Sequence, residues 1–131
     1  MSLAGFDILR AEHPDQGTLI ERFEGAVLRI LRRNPRAVLD ERQLAQITDT
    51  SLADVERWLF DLIKAEAVEP RVAWVCPIRH GTALEVKQLK DLPLLLEGCD
   101  MCGQSHEYDP ADVEMLFIAT DRLLESVSRH P

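Results

Sequence analysis

All three cysteines of the chain lie in two short stretches, "CPIRHG" at 76–81 and "CDMCG" at 99–103. In each stretch a cysteine, a tight spacer and a second candidate ligand are followed by a glycine, which lets the backbone turn. Thiolate and imidazole are ligands that zinc binds tetrahedrally in structural sites. An odd number of cysteines, two of them in C-x-x-C, favours metal binding over a disulfide framework.

The predicted ligands are Cys76 and His80 from the first stretch and Cys99 and Cys102 from the second. The eighteen residues between His80 and Cys99 fit the spacing of paired zinc-binding turns. His106, in C-x3-H spacing with Cys102, is the rival fourth ligand. We favour His80, because two ligands from each stretch surround a tetrahedral ion better than one and three. Four protein ligands leave no open position for water, so we expect a structural zinc rather than a catalytic one.

The chain is acidic: its 131 residues include 15 Lys and Arg against 23 Asp and Glu, a formal net charge of -8. This charge opposes non-specific attraction to nucleic-acid phosphates. The length fits one domain or two small modules. No run approaches the roughly 18 apolar residues of a membrane span, and no signal peptide is visible, so we expect a cytoplasmic protein with no membrane partner.

Helical periodicity dominates the first half of the chain. After an N-terminal arm at 1–17, apolar residues recur at steps of three and four from Thr18 to Arg33, and Asn34-Pro35 ends this helix. Asp40 and Ser51 are predicted caps of a short helix and of a longer one that ends near Ala65. The segment "AVEPRVAWV" then indicates β structure.

This order of elements resembles the winged helix-turn-helix superfamily over residues 18–75. "LAQITDTSLADVERWLFDLIKAEAVE" looks like the turn, the second and third helices and the first wing strand. The resemblance implies that the helix from Ser51 to Ala65 would enter a DNA major groove. It specifies a fold more than a function, and an unrelated small helical bundle is the alternative.

Residues 72–108 resemble a zinc ribbon, in which two knuckles from adjacent hairpins share one zinc. "CPIRHG" looks like the common first knuckle with histidine in place of cysteine and one residue added. A C-terminal helix is predicted at 109–131, with Asp109 as cap, Pro110 in the first turn and an apolar face that includes Val113, Leu116, Phe117, Leu123 and Val127. The predicted fold class is therefore α+β, a mainly helical winged helix-turn-helix with a small zinc-ribbon β module and a C-terminal helix. The order of modules is similar to that of the alpha subunits of general transcription factor E.

The outward face of the predicted third helix carries Arg57, Phe60 and Lys64 beside Asp54 and Asp61. This mixture suits phosphate contact poorly, because recognition helices normally carry net positive charge. An aromatic residue off the core face favours a protein-binding surface. The alternative is that the N-terminal arm or the last helix covers Phe60.

A basic cluster comprises Arg29, Arg32, Arg33 and Arg36, with Arg42 farther on. These cations either offset the dipole at a helix C-terminus or contact an acidic partner or phosphate. No nucleophile–base signature, phosphate loop or paired-carboxylate motif indicates an enzyme. We expect a non-enzymatic zinc-binding adapter or regulatory protein that acts through a protein partner. The alternative is a DNA-binding transcriptional regulator of the winged-helix type, and the last helix could pair with its mate in a homodimer.

Overall fold

The computed structural model describes residues 2–131 and has the expected α+β fold. The chain forms two compact units, one of residues 1–69 and 117–131 and one of residues 70–116. The first unit contains the helices, and the second contains both cysteine-bearing stretches.

Five helices lie in the described part of the chain: α1 (Phe6–Glu12), α2 (Gly17–Arg33), α3 (Glu41–Thr48), α4 (Leu52–Lys64) and α5 (Asp121–Arg129). Helices α2, α3 and α4 lie close to the bounds predicted from the sequence. Within residues 2–131, no helix combines the length and apolar character needed to cross a membrane.

The predicted caps begin α3 and α4. An Asp40 carboxylate oxygen accepts hydrogen bonds from the amides of Arg42 and Gln43, at 2.9 and 3.0 Å. The Ser51 hydroxyl accepts a bond from the Asp54 amide at 3.1 Å. Each cap satisfies amides that the first helical turn leaves without partners, a contribution of about 1 kcal/mol.

Of residues 1–17, predicted as an arm, residue 1 lies outside the described residues, and residues 2–17 contribute to the core of the first unit. Leu3, Phe6 and Leu9 are buried, and the Phe6 ring lies 5.7 Å from that of Phe23. Gly5 precedes α1 in a left-handed conformation, with φ of 86°. The close approach of this segment to the rest of the unit explains the burial of its apolar side chains.

The sheet contains three strands in the order β2-β1-β5, where β1 is Val68–Val75, β2 is Thr82–Val86 and β5 is Val113–Ala119. Strands β1 and β2 are antiparallel, with Val72 opposite Val86 and Trp74 opposite Leu84. A short pair, β3 (Leu95–Leu96) and β4 (His106–Glu107), forms a second antiparallel sheet. Strand β4 places a histidine beside the cysteine-bearing turns, as described below.

The prediction of one C-terminal helix from Asp109 is wrong for its first half. Asp109 and Pro110 do cap a turn, since the Asp109 carboxylate accepts the Ala111 amide at 2.9 Å, but that turn is a single 3-10 turn. The next residues, Val113–Ala119, form β5. Their β-branched and aromatic side chains suit a strand, and the cap of α5 is the Thr120 side chain.

The division into units also differs from the predicted linear order of modules. The first unit includes Phe117–Pro131, so the segment 70–116 lies in sequence between two parts of it. The boundaries fall inside β1 and β5, which are strands of the same sheet. Residues 117–131 thus belong to the helical unit instead of following the ribbon as a separate helix.

Candidate metal centre

Four donor atoms converge in the second unit. The Sγ atoms of Cys76, Cys99 and Cys102 and a ring nitrogen of His106 all lie within 4.8 Å of one another, a group that could hold a metal ion. Nε2 of His106 is 3.1 Å from Sγ of Cys102 and 3.8 Å from Sγ of Cys76. A tetrahedral zinc with bonds of 2.0–2.3 Å separates its donors by roughly 3.3–3.8 Å. The group therefore has the dimensions of a four-ligand site.

The first cysteine-bearing turn is closed by two backbone hydrogen bonds. The His80 amide donates to the Cys76 carbonyl, and the Cys76 amide donates to the Gly81 carbonyl, both at 2.8 Å. The Arg79 amide also donates to Sγ of Cys76 at 3.4 Å. The turn therefore presents one sulfur, with an amide directed at it.

The second turn has the same hydrogen bonds at corresponding positions. The Gly103 amide donates to the Cys99 carbonyl at 2.7 Å, and the Cys99 amide donates to the Gln104 carbonyl at 2.9 Å. Gly103 has a left-handed φ of 78°. Cys102, just before this glycine, supplies the second sulfur of the turn.

The correspondence of the turns explains why His80 is not in the group. His80 stands where the second turn has Gly103 and has a left-handed φ of 60°. Arg79, and not His80, stands where the second turn has its ligand Cys102. The prediction of His80 as the fourth ligand is therefore corrected to His106, because His80 is the turn residue of the first knuckle and not its donor.

Strand pairing positions His106. His106 lies opposite Leu96 in the β3–β4 pair, and the Tyr108 amide donates to the Leu94 carbonyl at 2.9 Å. The imidazole thus comes from a short strand, which two residues, Gln104 and Ser105, separate from Gly103. The C-x3-H spacing with Cys102 indicated this histidine, but the expectation of two ligands per turn favoured His80, which is not in the group.

The environment of Cys76 favours its thiolate. Burial opposes ionisation, but hydrogen bonds from the backbone amides of Arg79 and Ile78 and from the thiols of Cys102 and Cys99 prevail and lower the pKa of Cys76 to about 6. Hydrogen bonds to a charged group stabilise that charge. Cys76 is therefore largely ionised at neutral pH, in the form that binds a metal.

Cys102 is affected in the opposite direction. A backbone hydrogen bond from Gln104 favours its thiolate, but burial and the neighbouring sulfurs of Cys76 and Cys99 together raise the pKa of Cys102. Negative charges held close together disfavour each other. A cation at the centre of the group would relieve this repulsion, and metal binding would displace the proton.

A contact between the two turns involves Met101 and Gly81. A Cβ atom added at Gly81 would lie 2.4 Å from Cε of Met101, far closer than any real contact. The absence of a side chain at residue 81 therefore makes room for the methionine of the second turn. The atoms nearest to the added Cβ all belong to the flexible, 40% exposed Met101 side chain, so a larger residue at position 81 would displace that methionine.

The predicted interaction residues lie on the first unit. Phe60 is 47% exposed and packs edge-on against Phe117, with ring centroids 5.8 Å apart. Arg29, Arg32 and Arg33 line one groove. Arg36 is exposed and is not among the residues that line this groove.

The cations of α4 are beside carboxylates. A guanidinium nitrogen of Arg57 is 3.4 Å from Oδ1 of Asp54, and Nζ of Lys64 is 3.9 Å from Oδ1 of Asp61. Sequence reasoning missed a third contact of this helix, in which Nε2 of His13 lies 2.7 Å from Oδ2 of Asp61. This last pair joins the end of α1 to α4.

No protein-family model, curated protein or solved structure matches this chain.

Proposed function

We propose that this chain is a non-enzymatic zinc-binding adapter or regulatory protein that acts by binding another protein. The observation that carries the proposal is the convergence of three sulfurs and one imidazole within 4.8 Å. Soft thiolates with imidazole suit zinc, and four protein ligands close its coordination sphere. A zinc bound there stabilises the fold and has no open position for substrate.

The composition of the second unit supports a structural role for the metal. Among residues 70–116, the buried apolar side chains are Ala73, Trp74, Cys76 and Cys99, and two of these are candidate ligands. Trp74 packs edge-on against Tyr108, with ring centroids 6.0 Å apart. So small a core is a weak source of folding free energy, whereas a structural zinc contributes on the order of 10 kcal/mol or more.

The order of elements supports the winged helix-turn-helix part of the proposal. Helix α2 is followed by a bridge between Val38 and Ile118, then by α3, a turn, α4 and β1, and the chain returns through β5. The elements therefore follow the order expected of a winged helix-turn-helix: a helix, a short strand, a helix, a turn, a helix and two strands. In this interpretation β1 and β5 are the wing strands, and the zinc ribbon is inserted between them.

Charge pairing on α4 favours a protein partner over DNA. Arg57 and Lys64, the cations that would face phosphates, each have a carboxylate within 4.0 Å. These pairs reduce the positive potential that nucleic-acid binding requires. Phe60, nearly half exposed on the same helix, offers the aromatic contact that protein interfaces favour.

Metal analysis tests the zinc part of the proposal. Protein purified without added metal should contain about one zinc per chain. His106→Ala should lose this zinc, whereas the matched change His80→Ala, in the first turn, should retain it. Equal zinc contents in the two variants would exclude the ligand set proposed here.

Affinity capture tests the adapter part. The tagged full chain is expressed in the cells that naturally contain it, and the proteins that copurify are quantified for the wild type, Phe60→Asp and Ile8→Asp. Ile8 is also 47% exposed but lies on α1, which makes it a matched control. A partner lost only with Phe60→Asp, at unchanged helical circular dichroism, supports the proposal. Identical sets of proteins from all three variants would contradict it.

A further inference from the structure

A groove of about 540 Å³ lies between α2 and α3. The residues that line it are Ala26, Arg29, Ile30, Arg32 and Arg33 of α2 and Gln43 and Ile47 of α3. We propose that this groove binds an acidic amphipathic helix of a partner protein. The inference rests on the proposed adapter function and specifies the chemistry of the partner.

The lining combines apolar and cationic side chains on one face of α2. Ala26, Arg29, Ile30 and Arg33 follow the three-and-four spacing of a single helical face. Ile47, opposite them on α3, is 47% exposed although it lies beside the core. An apolar side chain of a partner would bury this isoleucine together with Ile30.

The charge of the groove opposes that of the whole chain. Three arginines line it and no carboxylate does, in a chain with a net charge of -8. Within residues 2–131, Arg29 and Arg33 have no carboxylate partner within 4.0 Å, whereas Arg10 and Arg57 each have one. Arg29 and Arg33 are also exposed, so their guanidinium groups are available to carboxylates of a partner.

Arg32 is occupied by a contact within the chain. Its guanidinium donates to the carbonyl oxygens of His130 and Pro131, at 2.9 and 2.8 Å. The partner's acidic groups therefore pair mainly with Arg29 and Arg33, which are four residues apart on α2. Acidic residues one helical turn apart on the partner would match this spacing.

The apolar floor favours a peptide over a nucleic acid. A phosphate backbone could pair with the arginines but would leave Ile30 and Ile47 exposed to water. An amphipathic helix covers an apolar groove with one face and places its acidic residues at the rim. Only an acidic amphipathic helix would both pair with the arginines and cover the isoleucines.

A peptide-display library tests the inference with the zinc-loaded full chain as target. Random peptides of 16 residues are selected for binding to the wild-type chain. Peptides that also bind the double variant Arg29→Glu/Arg33→Glu are then removed. Enriched peptides should carry Asp or Glu beside apolar residues at steps of three and four. A synthetic peptide of the enriched sequence should bind the double variant roughly tenfold more weakly or worse. Arg22→Glu, an exposed arginine of α2 outside the lining, should bind it within about twofold of the wild type.

Three results would overturn the inference: enriched peptides without acidic residues, equal weakening by Arg22→Glu, or a DNA or RNA duplex that binds more tightly through the same two arginines. Circular dichroism of each variant separates loss of binding from loss of folding. If no acidic peptide is enriched but a Phe60-dependent partner is captured, the groove proposal fails and the adapter function stands. If neither a peptide nor a partner binds, both fail.

Discussion

Arg79 in the first cysteine-bearing turn stands where the second turn has the candidate ligand Cys102. Counting the first cysteine of each turn as position one, both turns have the same two backbone hydrogen bonds. The amide of position five donates to the carbonyl of position one, and the amide of position one donates to the carbonyl of position six. The first turn therefore has the backbone of a two-cysteine knuckle but only one sulfur. His106, from β4, completes the set of donors.

Restoring the missing sulfur should make His106 dispensable. His106→Ala alone should weaken zinc binding by at least about a hundredfold, because losing even an outer partner of a ligand costs about 10–100-fold. Arg79→Cys combined with His106→Ala should recover tight binding, as measured by competition with a chelator of known affinity. His80→Cys with His106→Ala is the control and should give no recovery. Rescue by His80→Cys and not by Arg79→Cys would show that the alignment of the turns is wrong.

Removing zinc should unfold the second unit selectively. Residues 70–116 bury few apolar side chains, whereas the core of the first unit includes Phe23, Trp58 and Leu62. With a chelator, amide hydrogen exchange should become fast throughout 70–116 while α2 and α4 stay protected. Equal protection of 70–116 with and without chelator would argue against a structural metal.

The pKa of Cys76 should appear in the pH dependence of zinc affinity. The pKa is lowered to about 6, so above pH 6 zinc need not displace a proton from this thiol. Below pH 6 a proton on this thiol competes with the metal. The slope of the logarithm of zinc affinity against pH should therefore increase by one. Isothermal titration between pH 5 and 8 measures this slope. Cys76→Ser should bind zinc more weakly and lack the added steepness near pH 6.

Two glycines of the first unit should respond in opposite ways to alanine. Gly5→Ala should destabilise the protein by about 1–3 kcal/mol, since φ is 86° and the new Cβ would lie 3.0 Å from Cβ of Ala67. Gly25→Ala should stabilise it by about 0.5–1 kcal/mol, because residue 25 lies inside α2 and, apart from its chain neighbours and the helix's own backbone, no atom lies within 4 Å of the added methyl group. Urea denaturation measures both. Destabilisation by Gly25→Ala would contradict the open surroundings described for that residue.

The sequence predicts helix starts correctly where a cap depends only on neighbouring residues. Asp40 and Ser51 cap helices because a short side chain bonds to amides two or three residues away. Asp109 and Pro110 give an equally good local signal, yet only one turn follows, because the next residues form a sheet strand beside β1. Strand pairing depends on residues far apart in sequence, which a periodicity argument does not include.

The metal ligands show the same limit. Residue type and spacing predict the three cysteines of the candidate group. The fourth ligand depends on the left-handed backbone of residue 80 and on the pairing of Leu96 with His106. Aligned position by position, "CPIRHG" and "CDMCGQ" place Arg79 opposite Cys102, so the first turn has one sulfur and the fourth donor comes from outside both turns.

The placement of residues 70–116 between two parts of the helical unit determines the order of events during synthesis. The helical core includes Phe117, Leu123 and Val127, which leave the ribosome only after both cysteine-bearing turns. The nascent chain therefore exposes all four candidate ligands before these last core residues are synthesised. If the group binds zinc as proposed, metal can bind the emerging polypeptide before the helical unit is complete, and zinc supply during synthesis would then affect the yield of folded protein.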